Sequence, residues 1–133
     1  MHKNHNNISE DLGTLVDIVC KAIKQRRLLS FPYKSINGNE GQREIRPYLL
    51  GVNKIGNIEL VGVPSEEVET KTLNDRKSGH YLLKRIDPSY LKILDKTFDD
   101  PGVSRSRVVD TPTMKEIICR FRYDDESTTQ TRY

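Results

Sequence analysis

The sequence predicts a mainly β fold: a small antiparallel β-barrel of about five strands, preceded by one amphipathic α-helix and followed by a C-terminal extension strand. Three observations carry that expectation. Apolar residues recur with helical period from Leu12 to Ile23. After that, short strand-like runs alternate with glycine-containing turns as far as Leu94. Beyond Phe98, the breaker Asp99-Asp100-Pro101-Gly102 interrupts the pattern before one last alternating run.

With 133 residues, 35% hydrophobic and 31% charged, the chain suits one domain with polar ends. Residues 1–8 read as a disordered N-terminus, 9–98 as the domain (helix 9–27, barrel 28–98), and 99–133 as a linker and extension with a strand near 114–123. No apolar run approaches the roughly 20 residues that span a bilayer, and the opening residues lack the apolar core of a signal peptide, so the cytoplasm is the expected compartment. Cys20 and Cys119 are far apart and form no metal-binding or disulfide framework; both are expected as small buried apolar residues. A net charge of +3 permits contact with nucleic acid without marking a dedicated electrostatic binder.

Ser9 is a good helix N-cap, and Glu10 and Asp11 place negative charge in the first turn, where the helix dipole favours it. Leu12, Leu15, Val16, Val19, Ala22, Ile23 and Arg26 form one stripe, and Lys24, Arg26 and Arg27 close the helix with positive charge. The first strand, Leu28 to Lys34, turns Leu29, Phe31 and Tyr33 to one face, and Pro32 argues for an edge or bulge because it cannot donate to a ladder. Asn37-Gly38 is a hairpin signal leading into a second strand, Arg43 to Val52. A further turn through Gly56 opens the third, Ile58 to Val63. Residues 64–79 have no clear period and read as a functional loop or a weakly structured insertion. Strand character returns at His80 to Ile86 and Ser89 to Leu94, and Met114 to Tyr123 supplies the extension strand.

The chemistry points to binding. Arg43, Arg46, Lys84 and Arg85 are candidates to hold negative charge, and Tyr33, Tyr48 and Tyr81 to stack on a base. The plainer reading keeps the arginines solvated or capped by Glu44 and Glu59, with the tyrosines in the core or at its rim. Arg120-Phe121-Arg122-Tyr123 fits either an extension of a binding surface or an ordinary half-buried strand. His2, His5 and His80 have no metal-ligand spacing, no nucleotide-binding glycine pattern or nucleophile elbow occurs, and the carboxylates of Asp99-Asp100 and Asp124-Asp125-Glu126 read as solvated charge. No enzyme activity, cofactor or metal is expected. A small hydrolase would need a cleft that brings His80 to a carboxylate.

The blocks KQRRLLSFPYKS (Lys24 to Ser35), REIRPYLLGVNKIGNIELVGV (Arg43 to Val63) and HYLLKRIDPSYLKIL (His80 to Leu94), in this order behind a helix, resemble the WYL domain of bacterial transcriptional regulators and of proteins associated with phage defence. The likeness runs from about Leu15 to Phe98, roughly two thirds of the chain. It matches at Arg26-Arg27-Leu28, at Tyr33, along Arg43-Glu44-Ile45-Arg46-Pro47 and at Arg85-Ile86. The resemblance implies an Sm-like or SH3-like barrel that senses a ligand or binds nucleic acid, commonly beside a helix-turn-helix domain for which this length leaves no room. The tripeptide that names the family reads Ile58-Glu59-Leu60, and the first arginine of the fourth-strand block is Leu82. The expected ligand is single-stranded nucleic acid, a nucleotide or another anion, held by Arg43, Arg46, Lys84 and Arg85, with no membrane partner. The alternative is a protein interaction module that has lost its ligand site and dimerises through the C-terminal strand.

Overall fold

The computed structural model describes residues 2–105 and 114–123, with side chains from residue 11 onward. Helix α1 spans His2–Gln25 and precedes strands β1 (Arg27–Lys34), β2 (Glu40–Asn53) and β3 (Ile58–Pro64). A short helix α2 (Ser65–Thr70) leads to β4 (Gly79–Leu82), β5 (Lys92–Thr97) and β6 (Met114–Arg120). All the pairings are antiparallel. The mainly β class with a leading helix is as the sequence predicts.

The helix begins earlier than Ser9. No proline or glycine interrupts residues 2–9, so the backbone ladder extends through the stretch expected to be disordered. It also ends before Arg27, because Arg26 adopts a left-handed backbone with φ of 55°. Tertiary contacts hold that conformation. The Arg26 carbonyl accepts from Phe98 N–H at 2.9 Å, and its guanidinium lies 4.7 Å from the Phe121 ring and donates to the Arg122 carbonyl at 2.8 Å. The predicted stripe is the one that packs: Leu15, Val19, Ala22 and Ile23 are buried, with Leu12 and Val16 partly so.

Strand β2 carries the sheet. Its first half pairs with β1 from Glu40 to Ile45, its second half pairs with β6 from Leu49 to Asn53, and β3 occupies the opposite edge from Ile45 to Val52. The partner changes around Pro47 and Tyr48. Proline has no N–H to donate, and the β2–β3 register slips between Pro47 and Leu49, so the strand bends where one neighbour gives way to the next. The Tyr48 carbonyl then accepts from Phe121 N–H at 2.7 Å, which seats the end of the extension. Gly51 allows β6 to lie close: a Cβ there would meet the Glu116 carbonyl oxygen at 2.5 Å.

The sheet order is β4-β3-β2-β1-β5, with β6 beside β2, and among the described residues no ladder joins β4 to β5. The sheet therefore curls without closing into the expected barrel. Strand β4 is only four residues long before the chain tightens into a 3-10 turn at Leu83–Arg85, leaving too little backbone for another ladder. A side chain spans the gap instead, as the Tyr33 hydroxyl accepts from Leu82 N–H at 2.9 Å. Likewise, the strand predicted at His80 to Ile86 ends at Leu82 and the one predicted at Ser89 to Leu94 is displaced to Lys92–Thr97, because 3-10 turns occupy Leu83–Arg85 and Pro88–Tyr90.

Cys20 and Cys119 are not separate buried thiols. They form a disulfide between α1 and β6, with Cα atoms 5.9 Å apart across 99 positions of sequence. The sequence separation concealed this pairing, which arises because β6 returns to the second half of β2 beneath the helix. Closing so long a loop removes much unfolded-chain entropy. Reduction, or Cys20→Ser with Cys119→Ser, is expected to lower unfolding stability by about 2–4 kcal/mol in urea titrations, with retention of the β-sheet circular dichroism spectrum.

Candidate functional site

The β1–β2 register decides which candidate residues meet. Phe31 lies opposite Arg43 and Leu29 opposite Ile45, so alternation puts Arg43 on the same inward face as the apolar residues of β1. Phe31, Tyr33 and Tyr81 form an edge-to-face cluster with ring centroids 5.2–6.1 Å apart. The Arg43 guanidinium lies 5.9 Å from the Tyr33 ring, and Nη2 donates to the carbonyls of Asn39 (3.0 Å) and Tyr33 (3.4 Å). Among the described residues its Nε is buried without a hydrogen-bond partner, as is the Ser65 hydroxyl at the start of α2. Both residues line one cavity of about 320 Å³, together with Gln42, Ile45, Pro64 and Tyr81.

Three carboxylates also line this cavity: Glu44, Glu66 and Glu67. Two are engaged. Glu67 pairs with Lys71 at 2.8 Å and accepts from Lys77 N–H at 2.7 Å, and these contacts hold its carboxyl below the usual range, Lys71 contributing most. Glu44 faces Lys96 at 3.7 Å. The cavity wall thus combines two residues that each hold a buried donor, Arg43 and Ser65, with the exposed carboxylate of Glu66.

The other predicted residues are dispersed. Tyr33, Tyr48 and Tyr81 are at most 6% exposed, so they are core side chains and present no stacking platform. Arg46 points toward Phe98, 5.8 Å from its ring, and pairs with Asp100 at 3.5 Å. Asp100 is therefore not merely solvated; it also accepts from Gly102 N–H at 2.6 Å and shapes that turn. Lys84 reaches Asn57 in the β2–β3 turn, and Arg85 donates to the Lys34 carbonyl at 3.1 Å. Phe121 is 1% exposed and stacks on Phe98, so the aromatic half of the C-terminal basic-aromatic run belongs to the core and offers no stacking platform. Ser65 was missed by sequence reasoning. Proline followed by Ser65, Glu66 and Glu67 was the available signal, because those residues mark a helix start.

His80 does meet a carboxylate: its Nδ1 is 2.8 Å from Glu59, while Ser78 Oγ lies 3.5 Å from Nε2. The imidazole is half exposed and the serine sits at the outer limit of a hydrogen bond, so the arrangement braces β3 against β4 as a surface pair. Asn53 holds the other Glu59 oxygen at 3.2 Å. Glu59 is the middle residue of the Ile58-Glu59-Leu60 segment.

No protein-family description matches the sequence, and no curated protein matches it at a significant level. Among solved structures, the chain is similar to proteasome accessory factor B/C (PafBC) of Arthrobacter aurescens, with a TM-score of 0.52 and 24% identity over 65% of this chain. PafBC contains a WYL domain. The fold is WYL-like. The chain corresponds to 12% of the length of PafBC. Within this WYL-like frame, the cavity wall is built from β2, β4 and the segment that opens α2, the part of the sequence that reads only as loop.

Burial pushes the Tyr81 hydroxyl up to about 12 from its ordinary 10.0, with Arg43 opposing the shift and Tyr33 adding to it. The unfolded chain therefore loses this proton first as pH rises. Tyr81 contributes stability that is complete below pH 10 and is lost as the pH approaches 12, about 2–3 kcal/mol at most. Tyr81→Phe is expected to flatten this alkaline loss in urea unfolding compared between about pH 8 and about pH 11, while leaving the ring contacts in place.

Proposed function

We propose that this chain is a non-enzymatic, WYL-like regulatory module that senses a small negatively charged ligand, such as a nucleotide or the end of a nucleic acid strand. The observation that carries the reading is a pair of donors, Arg43 Nε and Ser65 Oγ, buried without partners among the described residues and belonging to two residues that line one cavity. Leaving such groups unsatisfied costs about 1–3 kcal/mol each, and an entering phosphate or carboxylate oxygen removes that penalty. Arginine suits the role because Nη2 holds its structural bonds to the Asn39 and Tyr33 carbonyls while Nε is a separate donor. The WYL resemblance supplies the setting, transcriptional regulation or phage defence, and similarity to part of PafBC supports the regulatory reading.

Extended single-stranded nucleic acid is a poorer fit than a compact ligand. The three tyrosines that would stack successive bases are buried, and Arg46 and Lys84 lie away from Arg43. The deciding experiment is calorimetric titration with nucleoside mono- and diphosphates and short DNA and RNA oligonucleotides, at low and then rising salt. Nucleotide binding that weakens with salt is expected. Ser65→Ala is expected to weaken it severalfold while leaving unfolding stability unchanged or raised by about 1 kcal/mol, since it removes an unsatisfied hydroxyl. Absence of binding at low salt by folded protein, or binding indifferent to Ser65→Ala and Arg43→Lys, overturns the reading.

A further inference from the structure

We propose that the outer edge of β6 is a strand-addition site for an extended acidic segment of a partner protein, a function separate from the Arg43 cavity. The placement follows from alternation. A strand face contributes every second residue to a groove, yet Ile117, Ile118, Cys119 and Arg120 are consecutive and line one groove of about 670 Å³. That groove therefore runs along the strand's edge. Among the described residues β6 is laddered only to β2, so its other edge has no strand against it. An open edge beside exposed apolar side chains is a template for another chain. Ile117 and Ile118 are 44% and 38% exposed.

The charge of the groove selects the occupant. Lys24, Arg26, Arg120 and Arg122 line it, and among the described residues none that lines it is acidic. Arg26 is committed to carbonyl groups and to the Phe121 ring. Lys24 and Arg122 are exposed and make no ion pair among the described residues. The far wall is α1, and the Cys20–Cys119 disulfide fixes its distance from the strand, so little ordering is left for the moment of binding. An extended segment alternating Asp or Glu with β-branched residues satisfies both the backbone edge and the cations. A second copy of this chain does not, because a two-fold interface sets the same cationic groove against itself.

The test is selection of a displayed library of random seven-residue peptides on the oxidised full-length protein, followed by affinity measurement of synthetic winners. Enriched sequences are expected to alternate acidic with Val, Ile or Thr residues, and Lys24→Glu and Arg122→Glu are each expected to weaken them roughly tenfold. N-methylation of alternate peptide amides is expected to abolish binding, which separates strand addition from simple charge attraction. Both substituted side chains are exposed, so the variants fold; circular dichroism checks this. Ser65→Ala leaves this binding unchanged, which distinguishes it from nucleotide sensing. The proposal falls if no acidic peptide is enriched, if binding ignores the charge reversals and the N-methyl groups, or if oligonucleotides bind the groove in place of peptides. It falls too if sedimentation shows a dimer through β6, or if peptides bind only once Asp124, Asp125 and Glu126 are neutralised, which would make the chain's own tail the occupant.

Discussion

The bend in β2 at Pro47 and Tyr48 is the constraint on which the remaining architecture depends. A straight 14-residue strand would keep one neighbour along each edge, but this one passes its edge from β1 to β6 partway along. Proline removes a donor at the handover, and the bulge beside it turns the strand so that Leu49 and Leu50 stay buried while their partner changes. The bend makes the C-terminal extension part of the sheet. It also brings Cys119 to Cys20 and Phe121 to Phe98, so the helix, the sheet and the extension share one core.

The same geometry divides polar chemistry between two regions. In the curl of the sheet, Tyr33 links β1 to β4, and Arg43 is held inward over an aromatic cluster with one donor unspent. At the far end of β2, the extension carries Arg120 and Arg122 beside the helix terminus and creates a basic edge. Apolar burial requires β2 to serve both regions, one beside β4 and α2 and the other beside β6 and α1.

Local patterns were legible in the sequence, and long-range consequences were not. The helical stripe through Leu15, Val19 and Ile23 and the alternation of Leu29, Phe31 and Tyr33 give the helix and β1 correctly, because burial on one face leaves a period in the chain. The two hairpin turns through Gly38 and Gly56 follow from residues that tolerate a left-handed backbone. The candidate site was harder to read. Basic and aromatic residues are equally compatible with a surface platform and with a core rim, and only the β1–β2 register separates Arg43, turned inward, from Arg46, turned toward Asp100. Ser65 and the Cys20–Cys119 bond depend on segments distant in sequence meeting in space, which no local period encodes.

The C-terminal extension is a structural strand of this domain, seated on the second half of β2. Hydrogen exchange measured residue by residue tests it most directly, at Phe121, whose N–H donates to the Tyr48 carbonyl, and at the β6 amides that face β2. Exchange as slow as that of the β1–β2 ladder, in the oxidised protein, is the predicted result. Exchange at the rate of an unprotected chain, while β1, β2 and β3 remain protected, would contradict the account.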